Sequence, residues 1–247
     1  MQFLWFYVPG PDNGNELRYS IRSVVENFQG EAKITVIGER PNWYSGHFIQ
    51  CPQNVKRAKR ERDAFLDTQH KIVVASQHPE IEDEFVWIMD DVYILQPVTI
   101  DDLKIPRHDP WYKVKSAKLW HRLIAETFKA LQKHGKTNHQ YGTHLPHHIE
   151  KQRLIDLFQL YDYPKNLYLW EILYGNHYRS DPCPYGSTWQ GVQYPQFLKR
   201  LLRRPRKIKE LHDVTAGAFV LNYQSACYGK IMQAFLESKF PTKTEFE

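Results

Sequence analysis

Cysteine is scarce in this chain, and apolar runs long enough to span a bilayer are missing. The three cysteines, Cys51, Cys183 and Cys227, are too few and too scattered for a disulfide framework or a zinc module. They fit a reducing compartment, and a cytoplasmic location is the expectation. The opening Met1–Gly10 stretch has no basic lead and breaks at Pro9, so it reads as too short for a signal peptide. Integral membrane association is therefore not expected. Neither sign of charge dominates: 33 Lys and Arg against 28 Asp and Glu leave +5, which permits a phosphate-rich partner without requiring one. Internal repeats and linkers are also missing. One domain over residues 1–247 is expected.

What the chain does have is aromatic residues, at 14%, and one central run, Phe85 to Leu95, broken only by Asp90 and Asp91. Such a run reads as a strand buried on both faces, of the parallel-sheet type. If it ends at Met89, the carboxylates emerge at the carboxyl edge of the sheet, where open α/β folds bind ligands. Paired acidic oxygens there suit a hard divalent cation. The alternative is a carboxylate pair that caps the next turn.

The flanking pattern supports a parallel sheet. Gln2 to Val8 reads as a first, central strand, Pro9 to Asn15 as a loop, Glu16 to Asn27 as a helix and Lys33 to Gly38 as a second strand. That order is a βαβ unit. A long helix is expected from about Val55 to Ser76, with Arg60, Asp67 and Lys71 on the face opposite its apolar stripe. That arc is either solvated or turned toward a ligand.

Asp109-Pro110 has the form of a helix start, and a helix carrying Leu119 to Leu131 should end at Gly135. The histidine-rich stretch from His139 to His148 reads as a loop. Helices are expected over Glu150 to Tyr161 and Leu167 to Tyr174. An aromatic, Gly- and Pro-rich loop follows from Arg179 to Gly191. Gln196 to Lys209 carries the densest basic patch, including Arg200, Arg203, Arg204, Arg206 and Lys207. It is either a solvated basic helix or, with Tyr185, Trp189 and Tyr194, a surface for nucleic-acid phosphates and a flipped base. A late strand at Ala218 to Leu221 and a helix from Cys227 to Lys239 close the chain.

Four stretches together resemble one family. Asn15 to Val24, Phe85 to Pro97, Thr143-His144-Leu145-Pro146 and Phe240 to Glu247 are similar to landmarks of GT-A-fold glycosyltransferases, in the branch of Stealth-type and phage-encoded enzymes. The resemblance implies a GT-A-like, Rossmann-like, mostly parallel sheet flanked by helices, with a helical and loop-rich C-terminal half. It implies a nucleotide-sugar donor, most simply a UDP-sugar, held through its diphosphate by Mn²⁺ or Mg²⁺, with residues 1–100 as the nucleotide-sugar-binding half and 101–247 as the acceptor-side half. Asp91 would ligate the metal, Asp90 would reach metal or ribose, and His212-Asp213 would supply a third ligand. Tyr7, Pro9 and Gly10 would meet the base, and Arg18, Arg60, Asp67 and Lys71 would face the donor. If the reaction inverts the anomeric centre, Glu171, Asp181 and Asp213 are the candidate carboxylates for its general base.

Two departures stand out. Met89 occupies the first position of a motif that usually carries Asp or Asn there, which puts the weight on Asp91. Phe6-Tyr7-Val8-Pro9-Gly10 replaces the usual Stealth opening, which favours ordinary glycosyl transfer over sugar-1-phosphate transfer. The acceptor stays open, a hydroxymethylated DNA base being one that the basic and aromatic residues fit. The rival readings are a sugar-1-phosphate transferase of polysaccharide synthesis and a non-enzymatic nucleic-acid-binding protein.

Overall fold

The computed structural model describes residues 1–10, 12–52, 61–109, 118–163, 165–179, 183–184, 188–189, 192–193, 198–201, 205–223 and 227–247. The amino-terminal part alternates strands and helices: β1 (Gln2–Tyr7), α1 (Asn15–Asn27), β2 (Lys33–Gly38), β3 (His47–Gln50), α2 (Glu61–Gln77) and β4 (Glu84–Trp87). Then come β5 (Val92–Ile94), α3 (Ile100–Lys104), β6 (Arg107–His108), α4 (Leu119–Lys133), β7 (His147–Glu150), α5 (Lys151–Leu160) and α6 (Trp170–Tyr178). The short strands β8 (Cys183–Pro184), β9 (Thr188–Trp189), β10 (Val192–Gln193) and β11 (Leu198–Leu201) lead to α7 (Ile208–Thr215), β12 (Val220–Tyr223) and α8 (Lys230–Lys239).

The main sheet has the order β3-β2-β1-β4-β7, with β1 central as its unbroken apolar sequence predicts. Four strands run parallel and β7 runs antiparallel on β4, pairing Trp87 with His147 and Glu84 with Glu150. One core layer packs α1 against this sheet through Leu17, Ile21 and Val24, which recur at helical spacing. The other layer places Ile72 and Ala75 of α2 with Leu154, Leu157 and Ile172 of the later helices. A second sheet, β11-β12-β5, packs on α8 through Leu221, Phe235 and Leu236. None of the described helices is long and apolar enough to cross a membrane.

Several expectations change. The central run is two strands. β4 stops at Trp87, and β5 pairs antiparallel with β12 in the second sheet. The histidine stretch contains a strand, because His147 and Ile149 turn inward while His148 and Glu150 turn partly outward, the period of a half-buried edge. Residues 198–201 form a strand beside β12, so the basic stretch is not one continuous helix. The described part of the long helix begins at Glu61 and that of the next helix at Leu119. The latter does end as its sequence predicts, with Gly135 at φ +65° taking the left-handed position past the last turn.

Candidate functional site

The chain leaves β1 through α1 to one side of the sheet and returns through α2 to β4 on the other. A crevice therefore opens at the carboxyl ends of β1 and β4, the switch point at which open sheets bind ligands. The Ile88 amide still donates to the Leu4 carbonyl at 3.0 Å, after which the chain turns, with Val92 N–H donating to Met89 O at 3.2 Å. Asp90 and Asp91 sit on that turn. Ser20 of α1 fixes it from below: its hydroxyl donates to Val92 O at 2.6 Å, lies 3.3 Å from Met89 O, and accepts from Trp5 Nε1 at 2.9 Å. From the second sheet, Asn222 Nδ2 donates to Asp91 O at 3.2 Å. Serine inside a helix is worth little locally. Here it ties two layers to one loop.

Both aspartates are half-buried. Burial raises the Asp90 carboxyl above the usual carboxylate range, and the charges of Asp91 and Asp12 raise it further, against backbone N–H groups that favour ionisation. Asp12 accepts from Gly14 N–H at 3.3 Å and Glu16 N–H at 2.8 Å, which folds the loop after β1 onto the start of α1. Glu16 is pushed up to about 7 by burial, opposed by the hydroxyl of Tyr223 and assisted by Asp90 and Asp12. Tyr223 donates to Glu16 at 2.7 Å, and its oxygen lies 2.7 Å from Tyr93 OH. None of Asp12, Glu16 and Asp90 forms an ion pair with a described lysine or arginine.

This donor set fits a hard divalent cation, which takes one or two carboxylates and completes its shell with phosphate oxygens and water. Among the described residues, no group of three His, Cys, Asp or Glu side chains converges on a metal position.

Past Met89 the crevice widens into a cavity of about 430 Å³. Phe65 and Trp120 stack on its wall, with centroids 5.4 Å apart and planes at 15°. Gln69 is oriented by donating to Asn166 O at 3.1 Å. Glu171, in the first turn of α6, lines the same cavity at 7% exposure, and burial pushes its carboxyl up to about 7 against a hydrogen bond from its own backbone N–H.

Of the other residues expected at the site, some border the crevice and others lie elsewhere. Pro9 and Gly10 lie exposed at the carboxyl end of β1. The Tyr7 phenol is buried and accepts from Gly10 N–H, and burial pushes its pKa up to about 12. Arg18 turns away: it donates to Asn15 Oδ1 at 3.0 Å, approaches Glu247 at 3.4 Å and stacks 4.7 Å over Trp43. Glu247 is held mainly by Arg22, whose two bonds of 2.6 Å tie α1 to the final segment. The helix and closing landmarks of the family resemblance thus meet in a structural clamp.

Asp67 and Lys71 are neither solvated nor apart. They form a buried ion pair one helical turn apart, with Lys71 reaching Gly38 at the carboxyl end of β2. His212 and Asp213 are exposed on α7. His212 packs on Phe235 beside Leu95 and Gln96, at the end of β5 away from Asp91. The structure does not bring either one to the aspartate pair. Arg60 and Asp181 lie outside the described residues, as do Tyr185, Tyr194, Arg203 and Arg204 and the side chains of Trp189 and Arg200, so the DNA-base reading gains no support. Ser20, Asn222 and the Glu16–Tyr223–Tyr93 chain were not singled out from sequence, because each depends on partners far away in the chain.

No protein-family model and no curated protein matches the chain. Among solved structures, an active-site mutant of LgtC superposes with a TM-score of 0.50 at 11% identity, over 99% of this chain and 98% of that one. The galactosyltransferase LgtC in complex with donor and acceptor sugar analogs gives 0.48 at 12% identity, over 99% and 98%. A glycosyltransferase involved in glycosylation of the major capsid of PBCV-1 gives 0.41 at 10%, over 96% and 98%. At such identities the likeness to the first concerns architecture alone, and with the sheet order above it identifies this chain as having the GT-A glycosyltransferase fold.

Proposed function

We propose that the chain is a nucleotide-sugar-dependent glycosyltransferase that moves a sugar from a nucleoside-diphosphate donor to an acceptor hydroxyl. The observation that carries this reading is the placement of Asp90 and Asp91 at the β1/β4 switch point, directly beside an aromatic cavity that contains a buried glutamate. Asp91, with Asp90 beside it, would hold Mn²⁺ or Mg²⁺, and Pro9 and Gly10 would border the nucleotide. The metal, when bound, supplies Lewis-acid stabilisation of the departing diphosphate.

The protein's own groups do the rest. Ser20 and Asn222 hold the backbone around the aspartates, so that the carboxylates need little reorganisation as charge develops. The stacked Phe65–Trp120 wall and its neighbours exclude water and orient the ring being transferred or attacked. Glu171 accepts the proton of the acceptor hydroxyl. Its pKa of about 7 is matched to that task, since a base works best when its pKa lies near the operating pH. Lys71, paired with Asp67, supports the carboxyl end of β2 at Gly38.

Differential thermal denaturation with a panel of nucleotide sugars, with and without Mn²⁺, tests the donor assignment. At least one donor should raise the midpoint in the presence of the metal, because ligands that bind only the folded state stabilise it. No stabilisation by any nucleotide sugar would refute it.

A further inference from the structure

At the opposite end of β4 from the aspartates lies a second cavity, of about 220 Å³, between β7, the end of α3 and the end of α6. It is lined by Glu84, Lys104, His148, Glu150, Arg153 and Arg179, with Tyr174 and Tyr178 alongside. Most of these charges are already matched. Glu84 is bound by His148 at 2.9 Å and Lys104 at 3.2 Å, contacts that hold its carboxyl below the usual range, so it remains ionised. Glu150 is bound by Arg153 at 2.7 Å. Burial holds His148 below its ordinary value, opposed by its bond to Glu84 and assisted by the neighbouring Lys104 and Arg179 charges.

Arg179 is the group left over. Its Nη2 donates to His148 O at 2.9 Å, and its guanidinium lies 5.7 Å from the Tyr174 ring centroid and 5.9 Å from that of Tyr141. No described carboxylate pairs with it. A guanidinium carries five N–H donors in a planar fork, and only one is used among the described residues. Among the described lining residues, the three lysine and arginine cations against two carboxylates leave one positive charge. Arg179 is half-buried, and a partly desolvated cation with no described counter-ion carries a cost that is offset when an anion enters.

We propose that this cavity is a binding site for a small oxyanion, a carboxylate or a phosphate monoester, taken by the fork of Arg179 with Lys104 and Arg153 at the rim. Fork-shaped recognition by arginine suits both groups. The tyrosine rings beside it favour a ligand whose anionic end is attached to a compact apolar or ring-shaped body. The site is separate from the proposed catalytic crevice. Glu171 and Arg179 lie at opposite ends of α6, and the two cavities share no lining residue.

Isothermal titration of the chain with inorganic phosphate and, separately, with acetate tests this. At least one should bind saturably, with a dissociation constant of about 1 mM or tighter. A preference for phosphate assigns a phosphate monoester, and a preference for acetate assigns a carboxylate. Arg179→Gln should weaken the preferred anion at least about tenfold, and Arg179→Lys less, since the fork is lost but the charge kept. Should Arg179→Gln fold poorly, the double variant Lys104→Gln with Arg153→Gln, at half-exposed rim positions, should still weaken binding a few-fold. Asp91→Asn should bind as the parent does. The proposal is overturned if neither anion saturates, if both the Arg179 and the rim variants bind like the parent, or if Asp91→Asn abolishes binding.

Discussion

Replacing Glu171 by glutamine should make the protein more stable and less active at once, and both effects follow from one number. The carboxyl is nearly enclosed, and burial moves its pKa from 4.5 to about 7. A folded-state pKa above the unfolded one means that the native protein holds a proton which the unfolded chain has lost. The stability contributed by this group is therefore complete below pH 4.5 and is lost as pH rises to 7. A shift of that size corresponds to at most about 3 kcal/mol.

Glutamine keeps the shape and cannot ionise. Glu171→Gln should therefore match the parent below pH 4.5 and exceed it by up to about 3 kcal/mol at pH 8. In a chain of this length that is several degrees in midpoint. Urea denaturation of both proteins at pH 4.5, 6 and 8 measures the difference. Turnover should move the other way, falling by about a hundredfold or more at pH 8 if the carboxylate is the base. For the parent, kcat/KM should fall about tenfold per unit as pH drops below 7. A stability difference that does not grow with pH would refute the burial argument. Full activity in Glu171→Gln would refute its role as base.

Two further substitutions test how the site is supported. Lys71→Met leaves Asp67 buried without its counter-ion and should cost about 3–5 kcal/mol in urea denaturation, whereas the double variant Asp67→Leu with Lys71→Met should recover most of that. Equal losses in both would mean that the pair is less desolvated than its burial implies. Ser20→Ala removes a buried donor and acceptor at once and should cost about 1–3 kcal/mol. It should also reduce donor-dependent stabilisation, because the turn carrying Asp90 and Asp91 loses its anchor; unchanged stabilisation would show that Ser20 supports the fold without positioning the carboxylates.

Much of the sheet could be read from the chain because its signals are local. The apolar runs at Gln2–Tyr7 and Lys33–Gly38, with the helix between them, sit where their patterns place them. The run around Asp90 was legible as buried, but its division was not. A turn after Trp87 passes the chain to β12, a partner about 130 residues away, and no local pattern encodes that pairing. The polar face of α2 misled for a physical reason: aspartate and lysine four residues apart neutralise each other, so a charged arc can be buried. In the histidine stretch the alternation of His147, His148, Ile149 and Glu150 was a readable strand signal, masked by the expectation that histidines crowd in loops. Arg18 meets Glu247, a partner distant in sequence and near in space, so no local pattern encodes that contact.

The most direct test of the central claim is the identity of the nucleotide released. With a nucleotide sugar and Mn²⁺, the protein should liberate nucleoside diphosphate, by slow hydrolysis even without the natural acceptor, and Asp91→Ala should lose both release and donor-dependent stabilisation. Nucleoside monophosphate as the product would assign sugar-phosphate transfer instead, and undiminished release by Asp91→Ala would contradict the placement of the diphosphate at the carboxyl edge of β4.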